Sequence, residues 1–287
     1  MGLMVKSVCS YRSLPWISLL VMSVALLALN CAQTQDRKVR LQMKFQQGRE
    51  LVYEQVNNQT ITVRNSPSVS QASQSKGEMT QIVKSLSTDG VARIEETSTW
   101  SWSEKAEDST IQIVSSSESL SYEMNPDGKI GGLELLDEKD ASKWKEYAQQ
   151  NLEQSQPTFP AEEVGKGYTW MQTVKIFMPS GEALDASTTY EVKDFVETDG
   201  YKCVVIDYRG NLILPFDVME SDSLSRRGVD RVDVTGTLVF DYEGGYTYSQ
   251  EETTKVTAER SKIIGNEASS NTFYIEGELF FHLKDKK

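Results

Sequence analysis

The sequence predicts a mainly β protein: antiparallel curved sheets or a half-barrel-like sandwich, with one central amphipathic helix. Apolar and polar residues alternate with a period of two in most segments after residue 38. Good turn chemistry punctuates these runs, at Thr88-Asp89-Gly90, Asn125-Pro126-Asp127-Gly128 and Gly244-Gly245. Strand–helix–strand alternation is missing, which excludes a Rossmann fold and an α/β barrel.

Taken in order, Val39, Leu41, Met43 and Phe45 alternate with Arg40, Gln42 and Lys44 as a half-buried strand does. Gln46-Gln47-Gly48-Arg49 turns the chain into Leu51-Val52-Tyr53 and a Thr-rich run to Val63. Residues 64–77 are polar without periodicity and read as a loop. Met79 to Leu86 and Val91 to Trp102 flank the Thr-Asp-Gly turn of a hairpin, and Ile111–Val114 and Leu120–Met124 follow. From Asp137 to Glu153, Ala141, Trp144, Tyr147, Ala148 and Leu152 recur at helical spacing until Pro157 and Pro160 end the run.

The second half echoes the first. Val192 to Gly200 parallels Val83 to Gly90 with one residue inserted, and each continues into an alternating strand. Gly236–Tyr242, Tyr246–Ala258 and Phe273–Phe281 alternate in turn. The expectation is a degenerate two-fold duplication of a meander: an N-terminal β half at 38–136, a helical connector at 137–156 and a C-terminal β half at 157–287. Thr-Asp-Gly also recurs simply because it turns well, and the pattern leaves open whether the halves share one core.

The first 31 residues read as an address. Lys6 and Arg12 precede thirteen uncharged residues, Ile17 to Leu29. A spanning helix needs about 20 apolar residues, whereas a signal-peptide core needs about 7–15. The run ends in Ala28-Leu29-Asn30-Cys31-Ala32-Gln33, which resembles the bacterial lipoprotein box, in which the thiol after the export core is lipidated. It departs from that box at Ala28, where Leu is preferred, and at Asn30, where a small residue is preferred. The alternatives are plain secretion with cleavage near Ala32 and an uncleaved anchor. Beyond the leader, Cys203 is the sole thiol, so no internal disulfide staples the fold. The chain after residue 30 carries 28 basic residues against 42 acidic ones. That balance argues against nucleic acid as a partner, because phosphate binding needs a cationic footprint.

Three short patterns resemble a family of bacterial envelope proteins of unknown function, often lipoproteins. They are Met43-Lys44-Phe45-Gln46-Gln47-Gly48 followed by Tyr53; Phe159-Pro160 with Val164, Gly167 and Trp170; and Gly236, Phe240, Asp241 and Gly244. Val234 stands where the family carries a first Gly. The resemblance implies an all-β envelope protein, akin to the curved half-barrels that handle lipoproteins, and it implies no catalytic residues.

Candidate sites are few. His282 shares a strand face with Glu276, Glu278 and Phe280, and reads as a surface imidazole rather than a base or metal ligand. Cys203 alternates with Tyr201 and Val205 and reads as an inert core thiol. Asp137-Glu138-Lys139-Asp140 lacks the spacing of a calcium loop, and Asp217, Glu220, Asp222, Asp230 and Asp233 follow no recognised pattern. Nucleophile-elbow, phosphate-loop and Cys-x-x-Cys motifs are missing, so neither a metal nor a cofactor is expected. Trp100, Trp102, Trp170, Phe240 and Tyr242 are candidates for lining an apolar cavity, against the simpler reading that they fill the core. The functional expectation is an exported, lipid-anchored, non-enzymatic cell-envelope protein of binding or structural type, attached to the membrane through Cys31. A carrier of apolar cargo, such as a lipid or a lipoprotein acyl chain, is the alternative, and an unrecognised enzyme is the second.

Overall fold

The computed structural model describes residues 37–64, 66–105, 111–136, 149, 152–177, 183–221, 224–264 and 267–287. The first half contributes β1 (Lys38–Arg40), β2 (Glu50–Val63), β3 (Ser66–Leu86), β4 (Ala92–Lys105), β5 (Ile111–Met124) and β6 (Ile130–Leu135). The second contributes β7 (Glu163–Gly165), β8 (Thr169–Phe177), β9 (Ala183–Thr198) and β10 (Tyr201–Ser221). It continues through β11 (Leu224–Asp241), β12 (Tyr246–Ile264) and β13 (Glu267–Lys286). The protein is mainly β, as its alternation predicts.

Eleven strands form one curved antiparallel sheet in the order β6-β5-β4-β3-β2-β13-β12-β11-β10-β9-β8, and β1 pairs with β7 in a separate two-stranded sheet. Two meanders therefore grow outward from the central β2–β13 pair, leaving β6 and β8 as edges. Each half starts with a short strand and a glycine turn and then runs as successive hairpins. Gly48 (φ 81°) precedes β2 and Gly167 (φ 82°) precedes β8, both in the left-handed region that glycine enters without steric cost. Their hydrogen bonds correspond. Gly48 N donates to Val83 O at 2.8 Å and Val83 N to Arg49 O at 3.0 Å. In the second half, Gly167 N donates to Val192 O at 2.8 Å and Val192 N to Tyr168 O at 2.9 Å. The correspondence of Val83 with Val192, expected from the parallel of Val83 to Gly90 with Val192 to Gly200, recurs in these backbone hydrogen bonds.

Register decides which residues share a face. One continuous row crosses ten strands: Trp170, Tyr190, Tyr208, Gly236, Glu252, Leu279, Asn57, Ser75, Trp102 and Val114. The next row on the same face includes Val192, Ile206, Leu238, Gln250, Phe281 and Gln55. This is the inner face, and it carries the core. The row between them on the opposite face, Glu191, Asp207, Thr237, Glu251 and Phe280, is polar apart from its phenylalanine. Gly236 is needed within its row: a Cβ there would lie 2.4 Å from Cζ of Tyr208, whose ring crosses the neighbouring strand.

One core serves both halves. Ile94, Tyr122 and Met124 from the first meander cluster with Ile206, Leu238 and Phe240 from the second, and Phe159 of the linking segment joins them. A second cluster gathers Leu51, Tyr53, Met79, Cys203, Tyr246, Tyr248 and Leu283, with Tyr53 stacked on Phe281 at 4.2 Å.

Two local expectations are corrected. Residues 66–77, read as a loop, belong to β3, paired from Ser70 with Thr62 to Gly77 with Gln55. Backbone pairing to β2 makes this a strand, while the side chains of Ser70 to Gln74 are exposed, so no apolar alternation marks it. The two short runs at 111–114 and 120–124 are one strand, β5. The helix expected over 137–156 falls largely outside the described residues; within them, Gln149 and Leu152–Ser155 are helical.

Candidate functional site

The segment that leaves this helical turn lies against the inner face because edge strand β8 holds it there. Gln172 Nε2 donates to Glu153 O at 3.0 Å and to Gln156 O at 3.2 Å. Its Oε1 accepts from Thr158 N at 2.8 Å and from the Tyr190 hydroxyl at 3.3 Å. Trp170 Nε1 donates to Thr158 O at 3.0 Å. Phe159 then packs its ring on Phe240, 4.6 Å between centroids, and donates its N–H to Asp127 O at 2.7 Å. One glutamine thus uses all of its hydrogen-bonding capacity to seat this strap.

The strap leaves a cavity on each side. One, of about 250 Å³, lies between Ser155 and Pro157 and the residues Val174, Tyr190, Tyr208 and Leu238. The other, of about 240 Å³, has apolar walls from Leu51, Met79, Ile94, Met124, Leu152 and Phe281. Gln250 and Glu252 border both.

Polar groups interrupt those apolar walls in two clusters. On β3–β5, buried Glu96 accepts from Gln81 Nε2 and from the Tyr122 hydroxyl, each at 3.0 Å. On β10–β12, Glu252 accepts from the Tyr208 hydroxyl at 2.9 Å, and Gln250 Nε2 donates to that hydroxyl at 2.7 Å. Each half of the sheet therefore presents a Glu–Gln–Tyr cluster to the interior. Burial pushes the Glu96 carboxyl above the ordinary glutamate range. The hydrogen bonds from Gln81 and Tyr122 pull the other way and are outweighed, and Glu118 adds to the rise. Burial likewise raises the Tyr53, Tyr122 and Tyr208 hydroxyls, keeping them protonated. Arg49 also reaches the second cavity, but Nη1 is tied to Gly244 O at 3.2 Å and Nη2 to Lys44 O. Its guanidinium carbon sits 5.4 Å from the centroid of the Tyr246 ring.

The aromatics singled out by sequence lie elsewhere on the same scaffold. Phe240 is fully buried, and Tyr242 is buried with its ring edge-on to Phe195 at 6.2 Å. Trp170 is half-buried and stacks on Tyr190 at 5.0 Å, while Trp100 and Trp102 sit half-buried on β4. Neither inner cavity is lined by any of the five. Cys203 is fully buried, which pushes its thiol up to about 12 and away from the reactive thiolate. His282 is exposed and meets Tyr248 edge-on at 4.9 Å. Cys31, Asp137 to Asp140 and Asp222 lie outside the described residues. Among the described residues no group of three His, Cys, Asp or Glu is placed to hold a metal ion.

Sequence reading passed over Glu96, Gln81, Gln250 and Glu252. A signal existed for Glu96, which occupies an inward position of the alternation Ala92-Arg93-Ile94-Glu95-Glu96, while Gln250 and Glu252 are placed inward by pairing with Leu238 and Gly236. A carboxylate in an inward position is the informative exception to an apolar face.

No protein-family model and no curated protein sequence matches the chain.

Proposed function

We propose that the protein is an exported, non-enzymatic binding protein of the cell envelope that takes a small amphipathic molecule into the cavity beneath the strap. The observation that supports this most is the cavity of about 240 Å³, apolar on most sides and polar at Glu96, Gln81 and Gln55. Ligand sites combine apolar walls with a few placed polar groups in this way. Its size matters. An apolar cavity of about 150 Å³ already accepts benzene, while drug-sized ligands occupy about 300–1,000 Å³. A small molecule fits better than the lipid or lipoprotein acyl chain of the carrier alternative. Burial disfavours the charged forms of Glu96, Tyr53 and Tyr122. Titrating the full chain with 1-octanol, followed by calorimetry and by the unfolding temperature, is expected to saturate at one molecule per chain. Uptake that rises without saturation would overturn this reading.

Export and anchoring rest on the leader and on Cys31 after its apolar core, in keeping with the lipoprotein resemblance. Two acyl chains supply a stable anchor where one does not. The intact mass of membrane-extracted protein should show an acylated Cys31 as the first residue. A soluble mature chain beginning at Gln33 would contradict it.

A further inference from the structure

Glu96 and Glu252 face the same cavity from opposite halves of the sheet. Glu96 retains 7% of its surface and has only the neutral partners Gln81 and Tyr122. Glu252 is half-buried, with Tyr208 and Thr254 as its partners. No basic side chain pairs with either one among the described residues. On the outer surface the acids behave differently, many being paired with lysine or arginine, as Glu95 is with Lys84 at 2.8 Å and Glu54 with Lys284 at 3.4 Å. An unpaired carboxylate in an apolar interior is costly, and a cation brought to it recovers part of that cost.

We propose that the cavity selects a cationic amphiphile, an ammonium group on a short apolar skeleton, with Glu96 and Glu252 as its anionic partners. This rests on the binding-protein reading above and specifies its ligand. The apolar skeleton lies against Leu51, Met79, Ile94 and Phe281, and the ammonium N–H groups donate to the two carboxylates. Gln55 and Gln81 supply further acceptor oxygens on the same wall. Tyr53 and Tyr122 line the same cavity, and a desolvated cation is attracted to nearby aromatic rings. Arg49 is the one base lining this cavity among the described residues, and it is the group that would favour an anionic head instead. Its two Nη atoms are already engaged by backbone carbonyls, and the carboxylate whose charge acts on it is Asp241 rather than Glu96.

Three eight-carbon ligands with different heads decide the matter: octylamine, 1-octanol and octanoate, titrated calorimetrically into the full chain at neutral pH. Octylamine is expected to bind at least about tenfold more tightly than octanol, and octanoate more weakly than octanol; tenfold corresponds to about 1.4 kcal/mol. Glu96→Gln, which keeps shape and hydrogen bonding, should remove most of the octylamine advantage over octanol. Octylamine no tighter than octanol, or octanoate tighter than both, overturns the cationic assignment and leaves the binding-protein reading standing. Failure of all three ligands to saturate removes the binding-protein reading itself. Should Glu96→Gln fail to fold, the comparison of heads on the unaltered protein still decides.

Discussion

Replacing Phe240 with alanine is expected to remove about 3–5 kcal/mol of stability, the range for truncating a fully buried phenylalanine. The mechanism is specific to where this ring sits. Phe240 is fully buried within the cluster that joins both halves of the sheet, and its ring is the seat for Phe159 of the strap. Truncation leaves a void, and it also strips the strap of the apolar contact next to the Phe159–Asp127 hydrogen bond. Domains of ordinary stability hold only about 5–15 kcal/mol in total, so the variant should unfold at a much lower urea concentration. Phe240→Leu keeps most of the volume and should lose less than half as much. Urea titration followed by tryptophan fluorescence measures both, because Trp170 stacks on Tyr190 beside the strap. A loss under about 1 kcal/mol for Phe240→Ala would mean that the shared core does not hold the halves together at this point.

The legible part of the fold was the part written in side-chain alternation and turn chemistry. Thr88-Asp89-Gly90 and Asp199-Gly200 mark the β3–β4 and β9–β10 turns because Gly90 and Gly200 take φ values of 87° and 81°. The duplication was read from the parallel of Val83 to Gly90 with Val192 to Gly200, and the matched Gly48–Val83 and Gly167–Val192 hydrogen bonds share its spacing. Strand Ser66–Gly77 was illegible for a physical reason. The exposed Ser70, Gln71, Ser73 and Gln74 are held by the backbone ladder to β2, which no side-chain pattern reports. The sharing of one core was also hidden, since alternation says which side of a strand is buried but not against what. At the site, the large aromatics drew attention because they carry the most apolar area, yet Phe240 and Tyr242 are part of the core itself. The polar residues that distinguish the cavity, Glu96 and Glu252, looked like two of 42 acids until the register placed them inward.

Glu96 also makes a prediction about pH whose sign can be worked out from its surroundings. Burial raises its pKa above the ordinary glutamate value, so the folded protein binds this proton more readily than the unfolded chain does. The stabilisation linked to that proton is complete below the ordinary glutamate range and is lost as pH rises through the folded value. Glu96→Gln removes this dependence while keeping an amide that Tyr122 can still reach as a donor. The stability of the variant minus that of the parent should therefore rise in favour of glutamine as pH climbs from the ordinary glutamate range through the folded value. Each pH unit over which the unfolded Glu96 is ionised and the folded one is not contributes about 1.4 kcal/mol. Carboxyls shifted the other way cancel in the comparison. Asp89 is lowered by its hydrogen bond from Ser87, and Asp194 by the backbone N–H of Phe195 and by Lys166. Their stabilisation is lost as pH falls, equally in parent and variant. Glu96→Ala supplies the contrast, since it leaves Gln81 and Tyr122 without their acceptor and should destabilise the protein throughout the acid range. Urea midpoints taken at each pH test the sign directly. Parallel curves for parent and Glu96→Gln would mean that water reaches this carboxyl freely, and the cavity would lose the buried acid on which its preference for a cation depends.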